Sequence, residues 1–404
     1  MNITLINQFY PPSQAPTGRL LRDLALALRA RGHCVTVVTS HGSYEESAQR
    51  PSSSDEDGIV VRRVGPDGLH RSSLLRKAWD YGRFFVASYR ALSRMDPPPN
   101  VIVSLTTPPF CGLVAARMKK RRAIPYVLWC MDLYPEALAA AGIAGSAARY
   151  PLRLLARLAR RERSGADCVV VLGNDMAGLV RASAPTAHVE VVPVWSDLEV
   201  TPARINEARK LRRERGWADD EVVLLYSGHM GRAHAIDGIV RLAAQLRRDG
   251  RDARVVLCGG GPARAAWERA AGDLVEWLPA VGEERLTAHL LSADIHVCTQ
   301  RLEWSGIVVP SKYPAACALG RPVVFTGPPD CAVAEWIHEA DTGWVLSAAV
   351  LQNLGSLSAE LCDPLLRVAK GRRAQAQAVR LFSRDSNCGQ LVYGVESCIP
   401  GIER

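Results

Sequence analysis

Short apolar runs alternate with segments whose apolar residues return every three or four positions, and the alternation starts at the first residues. ITLINQFY opens on an apolar run, and Pro11 to Gly18 form a loop of Pro, Ser and Gly character. Leu20, Leu24 and Leu28 at spacing four then predict a helix over 19–31, stopped by Gly32. Further strands are predicted over 33–39, 58–64, 101–105, 126–131 and 168–172, and Pro97-Pro98-Pro99 break the chain before the third of these. Strands buried on both faces read as unbroken apolar runs, so runs separated by helices predict a parallel sheet. The pattern pauses at Pro193 and again at Pro202, and a charged helix is predicted over 205–215. It then restarts with strands over 222–226, 254–258, 275–278, 295–299 and 322–326. The expected class is α/β, with two Rossmann-like domains, 1–198 and 199–404, facing each other across a cleft. In such sheets ligands bind beyond the carboxyl ends of the strands, which directs attention to the loops that follow them.

Composition narrows the class without changing it. A chain of 404 residues with 48% hydrophobic and 23% charged residues is an ordinary globular composition and argues against disorder. None of the eleven cysteines forms a CxxC pair and no His joins a Cys at metal-ligand spacing, so no metal site is expected. Cys34, Cys168 and Cys258 read as reduced core thiols of a cytoplasmic protein. MNITLINQFY carries no signal-peptide pattern, and no apolar run reaches about 18 residues, so neither secretion nor a spanning helix is expected.

The net charge of +9 is unevenly placed, with 25 basic against 17 acidic residues over 1–200 and 25 against 24 over 201–404. The excess lies in Arg71, Arg76, Lys77, Arg83, Arg90 and Arg94, in Lys119 to Arg122, and in Arg149 to Arg163. Trp79, Phe84, Phe85, Leu152, Leu154 and Leu155 stand among these charges. Two readings remain open: basic amphipathic helices on an anionic membrane, or solvated helix faces. No recognised nucleic-acid module accompanies the charge, so nucleic acid is not an expected partner.

Four places carry candidate chemistry. The loop Pro11–Gly18 opens a helix, where amides and dipole favour an anion and Gly18 leaves room for close approach; a plain turn glycine is the alternative. Ser227-Gly228-His229-Met230-Gly231-Arg232 ends a strand, and Arg232 offers a planar fork suited to phosphate. Gly259-Gly260-Gly261-Pro262 is not GxGxxG, which disfavours a dinucleotide, but Gly260 and its neighbours suit a base or ribose lying against the backbone. Glu303-Trp304-Ser305-Gly306 leads to Pro310-Ser311-Lys312, where Ser311 is the expected N-cap and Lys312 an electrostatic cost at a helix start unless an anion is present. Asp132 ends an apolar strand in the first half. It could accept a proton, hold a hydroxyl, or simply cap the helix near Pro135.

Taken in order, these segments resemble the retaining glycosyltransferases of GT-B fold in the family 4 group, through nearly the whole chain. FYPPSQAPTGRLLRDLALALRARGHCVTVVTS is similar to their N-terminal signature, and VVPVWSD to their interdomain segment. YSGHMGR, VLCGGGP, LLSADIHV and EWSGIVVPSKYPAACALGRPVV are similar to the donor-binding half. The resemblance implies transfer of a sugar from a nucleotide-sugar to a hydroxyl of a sugar, lipid-linked glycan or small-molecule acceptor, with retention and without metal or other cofactor; UDP, GDP and TDP stay open as the donor nucleotide, with UDP-sugar favoured as the commonest. Arg232 corresponds to the diphosphate arginine. The usual lysine is absent from AHAIDGIV, which leaves its load to Lys312.

Glu303 fits the first Glu of the Glu-x7-Glu motif, but Ser311 stands eight positions on, and reading back from the AxG end puts Ala315 there. The second Glu, which holds the donor ribose in that family, is therefore missing. Asp132 and Glu303 are the implied catalytic-site residues, positioning sugar hydroxyls. Gly18, Gly228, Arg232, Gly260, Gly306, Ser311 and Lys312 are the implied donor-binding residues. The PSK variant resembles an exopolysaccharide-assembly subgroup, whose acceptor is often a lipid-linked sugar, on the inner face of the plasma membrane. The C-terminal helix is expected to pack back on the N-terminal domain. Two alternatives remain: a nucleotide-sugar epimerase of the same fold, and a non-catalytic glycosyltransferase partner.

Overall fold

The computed structural model describes every residue except 14, 42–50, 67–73, 143–148, 400 and 402–404. The described residues form two compact units: Met1–Pro193 together with Asp385–Arg404, and Val194–Arg384. The change of unit thus lies before the expected 198/199 boundary, and the final helix, Arg384–Ser397, belongs with the first unit.

The first unit holds strands β1 (Asn2–Ile6), β2 (Cys34–Ser40), β3 (Ser53–Glu56), β4 (Ile59–Val64), β5 (Val101–Leu105), β6 (Tyr126–Trp129), β7 (Cys168–Val171) and β8 (Val189–Val191). They pair in the order β3-β4-β2-β1-β5-β6-β7-β8. All pairs are parallel except β3 with β4. The second unit holds β9 (Val222–Ser227), β10 (Ala253–Cys258), β11 (Glu276–Leu278), β12 (Ile295–Thr299), β13 (Val323–Thr326) and β14 (Gly343–Val345), in the all-parallel order β11-β10-β9-β12-β13-β14. Both sheets are doubly wound. In the first, the strand order reverses between β1 and β5; in the second, between β9 and β12. A crevice opens at such a reversal, because the helices leave opposite faces there.

The strand sequences explain the burial. Along β9, Val222, Leu224 and Tyr226 enter one core with Ile239, Leu242 and Trp267, while Val223 and Leu225 enter the opposite core with Trp217 and Leu291. This is the period-two alternation of a strand covered on both faces. The expected strands appear with edges moved by one or two residues. Three were not expected: β3 is polar and lies at an edge, and β8 and β14 are three residues each. Pro202 does not interrupt the chain but begins the helix Pro202–Glu214, with Thr201 capping it through Arg204 N at 3.3 Å. Proline is well placed there, because the first turn of a helix has no use for that amide.

Candidate active site

In the second unit the loops after β9 and β12, on either side of the strand-order reversal, carry most of the expected donor residues. Gly228 follows β9 with φ 136°, and a Cβ there would stand 2.9 Å from Lys312 Cε. The Lys312 ammonium lies 4.8 Å from the centre of the Tyr226 ring. His234 is held by Nδ1, which lies 2.7 Å from the Thr299 carbonyl at the end of β12. The two loops are joined by Arg301, whose amide donates to Ala233 O at 2.8 Å and whose Nε donates to His234 O at 3.0 Å. Gln300, buried, shapes the second loop from inside by donating to Trp304 O and Val308 O.

The electrostatics of this pocket are one-sided. Burial lowers the Lys312 pKa below the usual lysine range. Burial, and then the neighbouring Lys312 charge, lowers both His229 and His234, the latter to about 4. Three basic groups thus meet at the carboxyl ends of β9 and β12, and among the described residues no carboxylate pairs with Lys312. A half-buried cation without a counter-charge is costly, and an anion would remove the cost. In the sequence His229 and His234 read either as helpers in phosphate recognition or as structural loop residues; what distinguishes them is their convergence on Lys312, which no spacing along the chain reveals.

The glycine run after β10 divides by role. Gly259 (φ 119°) and Gly261 (φ 142°) lie against the preceding loop, where Cβ atoms would stand 2.2 Å from Gly228 O and 2.6 Å from Met230 O. Met230 N donates to Gly260 O at 2.8 Å, locking the two loops together. A Cβ on Gly260 would meet nothing within 4 Å, so that glycine alone leaves open space beside the backbone.

Other expected site residues stand differently. Arg232 is exposed in the same loop as His234. Gly306 is buried with φ 69°, a left-handed turn that favours glycine. Glu303 is exposed on the short turn Leu302–Trp304. Ser311 corrects an expectation: its side chain makes no capping bond, its backbone is already helical, and the helix Lys312–Ala318 has only seven residues. A helical φ/ψ turns the hydroxyl away from the amides that a cap serves.

In the first unit Gly18 also corrects an expectation. A Cβ there would stand 3.2 Å from the Phe9 carbonyl, so the room that glycine leaves is taken by the chain's own backbone. Its amide already donates to Ala15 O at 2.9 Å. Asp132 does not cap a helix: the helix Glu136–Ala140 begins at Pro135 with no side-chain cap. The amides of Met131 and Asp132 instead donate to Thr106 Oγ1 at 3.0 and 3.4 Å, which ties the end of β6 to the end of β5. Asp132 lines a cavity of about 10 Å³, room for one water, with Thr106, Cys130, Tyr134, Glu162 and Arg163. Burial pushes the Asp132 pKa up to about 6 and that of Glu162 up to about 7. Glu162 escaped sequence reading because it sits in ARRERSG, which looks like a solvated helix face. In the fold it is buried and accepts the Gly112 amide at 2.9 Å.

Two glycosyltransferase models match the chain: the glycosyl transferase 4-like domain over residues 17–195, and glycosyl transferases group 1 over 221–361. The chain belongs to this glycosyltransferase family. It is similar to the putative colanic acid biosynthesis glycosyl transferase WcaI of Escherichia coli (strain K12), with 25% identity over 81% of this chain and 83% of the relative. Among solved structures, the fold is similar to sucrose-phosphate synthase from Thermosynechococcus elongatus, with a TM-score of 0.75 and 17% identity over 98% of this chain and 99% of the other. It is also similar to Anabaena HepE in complex with UDP-glucose, with a TM-score of 0.67 and 16% identity over 98% of this chain and 100% of the other. These neighbours show the GT-B fold expected from the sequence. The family model for the second half spans the Gly228, Gly260 and Lys312 loops described above.

Proposed function

We propose that the enzyme transfers a glycosyl group from a nucleoside diphosphate sugar, UDP-sugar favoured, to a hydroxyl of a glycan or lipid-linked acceptor in polysaccharide assembly, with retention and without a metal. The observation that carries this reading is the gathering of Lys312, His229 and His234 at the strand-order reversal of the second sheet, with no carboxylate paired to Lys312 among the described residues. A diphosphate supplies the missing negative charge. Lys312, with Arg232 from the neighbouring loop, stabilises the charge that develops on it as the glycosidic bond breaks. The open backbone at Gly260 gives the base or ribose a surface to lie on. UDP-glucose bound to HepE and colanic acid assembly in the name of WcaI support the donor and the pathway class. In this scheme the departing phosphate oxygen takes the acceptor proton, and Asp132 and Glu303 orient sugar hydroxyls.

Isothermal titration with UDP, GDP and TDP, followed by NMR of the product formed from the matching sugar, tests the proposal. UDP is expected to bind, and the product to keep the donor's anomeric configuration. An inverted product overturns retention. Epimer formed without acceptor, or no binding of any of the three nucleotides, overturns the transfer itself.

The enzyme also adsorbs to an anionic membrane surface in this proposal. Along helix Leu74–Ser93, Arg76, Trp79, Arg83, Val86 and Arg90 are exposed at spacings of three and four, forming one stripe of alternating charge and apolar bulk. Helix Arg149–Gly165 presents Tyr150, Arg153, Leu154, Arg157, Arg160 and Arg161 in the same manner. Helix Gly112–Arg122 packs against both and adds exposed Arg117, Lys120, Arg121 and Arg122. Three residues first counted on this face do not belong to it. Phe84 is core, Arg163 is buried in a two-bond pair with Glu136 at 2.7 and 2.9 Å, and Lys119 is tied to Asp167 at 2.7 Å. Arg71 lies outside the described residues.

A further inference from the structure

We propose that Cys168, His188 and Glu190 form a zinc-binding site on the last two strands of the first sheet, beneath the C-terminal helix. The sequence pointed to no metal, because the pairing of two strands, not the spacing along the chain, brings these ligands together.

The sheet itself brings the three together. β7 and β8 run parallel with Val169 opposite Val189, so Cys168 lies beside His188, and Glu190 follows two residues later on the same face. The Cys168 Sγ, a His188 ring nitrogen and a Glu190 carboxylate oxygen all lie within 4.8 Å of one another. Helix Arg384–Ser397 crosses this face. A Cβ on Gly394 would stand 3.1 Å from Glu190 Oε2, so the glycine lets the helix pass directly over the carboxylate. Cys398, just past the helix, bonds its thiol to Gly394 O at 3.2 Å. Cys168 is buried beside the Glu190 carboxylate, an environment that a dication suits.

The donor set selects the metal. One thiolate, one imidazole and one carboxylate, with a solvent molecule as fourth ligand, suit tetrahedral Zn²⁺ better than the oxygen-seeking Mg²⁺ or Ca²⁺. Bonds of about 2.0–2.3 Å place tetrahedral ligand atoms roughly 3.3–3.8 Å apart. His188 Nε2 and Glu190 Oε1 are 4.0 Å apart, and the His188 side chain, 65% exposed, has the freedom to close the difference by rotation. Access is open as well: a groove of about 610 Å³ reaches Glu190 between β8 and the helix, past Asp385, Gly389 and Tyr393. The Cys168 thiol releases its proton to solvent as it ligates. The role is structural, since it joins the last two strands of the sheet and supplies nothing to the transfer chemistry.

The test uses the full chain, stripped with a chelator and titrated with Co²⁺ as a spectroscopic stand-in. One equivalent is expected to bind with the absorption of tetrahedral, thiolate-ligated cobalt, and Zn²⁺ to displace it. His188→Ala, a surface change that leaves the core intact, should weaken Co²⁺ by at least about tenfold. Cys168→Ser should remove the thiolate-to-cobalt band. Zn²⁺ should raise the melting temperature of the wild type but not of His188→Ala. An octahedral cobalt spectrum, or the same affinity and spectrum in both variants as in the wild type, overturns the site.

Discussion

At the scale of single residues, Lys312 places binding and stability in opposition. Its side chain is packed over Tyr226 and beside Gly228, and burial disfavours its charged form. Lys312→Met keeps the hydrocarbon stem and removes the charge. The melting temperature of the free enzyme should therefore rise, while turnover falls by about 10²–10³, the loss of roughly 2–4 kcal/mol of transition-state stabilisation. A melting curve and a rate on the same preparation decide the matter; unchanged turnover removes Lys312 from the site. The glycine run gives a second contrast. Gly259→Ala drives a Cβ into the Gly228 carbonyl at positive φ and should cost about 2–4 kcal/mol of stability. Gly260→Ala meets nothing in the protein and should leave the denaturation midpoint nearly unchanged while weakening nucleotide binding. Equal destabilisation by the two would contradict the division of roles.

At the scale of elements, a buried carboxylate joins two helices of the first unit. Glu162 on Arg149–Gly165 accepts the first amide of Gly112–Arg122, and Gly112 must be glycine because a Cβ would stand 2.5 Å from Glu162 Oε1. Burial raises the Glu162 pKa from 4.5 to about 7. The folded state therefore binds the proton more tightly than the unfolded chain. The associated stability is complete below about 4.5, and it is lost as pH rises through 7. Glu162→Gln keeps an oxygen for the Gly112 amide and removes the titration. Its urea midpoint relative to wild type should rise between pH 5 and pH 8, by an amount on the order of 2–3 kcal/mol. A difference that does not change with pH would show that Glu162 does not titrate in this window.

The same pair of helices shows how far the chain could be read. Strands such as 101–105 and 295–299 were legible to the residue, because burial on both faces leaves an unbroken apolar run. Glu162 and Arg163 were illegible. Their neighbours Arg160 and Arg161 face solvent, and only the fold distinguishes a carboxylate that holds an amide from one in a solvated charge run. In the candidate site, Lys312 and the glycine loops were legible as motif positions. The capping role of Ser311 and the ligand room at Gly18 were not, because both depend on backbone geometry that residue type does not fix.

At the scale of the whole molecule, the net charge of +9 comes almost entirely from residues 1–200, where 25 basic residues face 17 acidic ones. No helix among the described residues is long and apolar enough to cross a membrane. The stripes on Leu74–Ser93 and Arg149–Gly165 pair two contributions that salt separates. Arginines near an anionic surface contribute about 1 kcal/mol each, an effect that fades beyond a Debye length, whereas Trp79 (71% exposed) and Tyr150 (81% exposed) contribute burial that salt does not weaken. Flotation with vesicles of phosphatidylcholine and phosphatidylglycerol should therefore carry the enzyme at low salt, less of it at 1 M salt, and little of it with phosphatidylcholine alone. Trp79→Ala should lower the fraction floated at both salt concentrations. Arg83→Glu with Arg157→Glu should abolish flotation at low salt while leaving UDP binding intact, since neither residue belongs to the unit that carries Lys312. An enzyme that stays at the bottom of the gradient at low salt does not use this surface for lipid, and the arginines are then solvated faces.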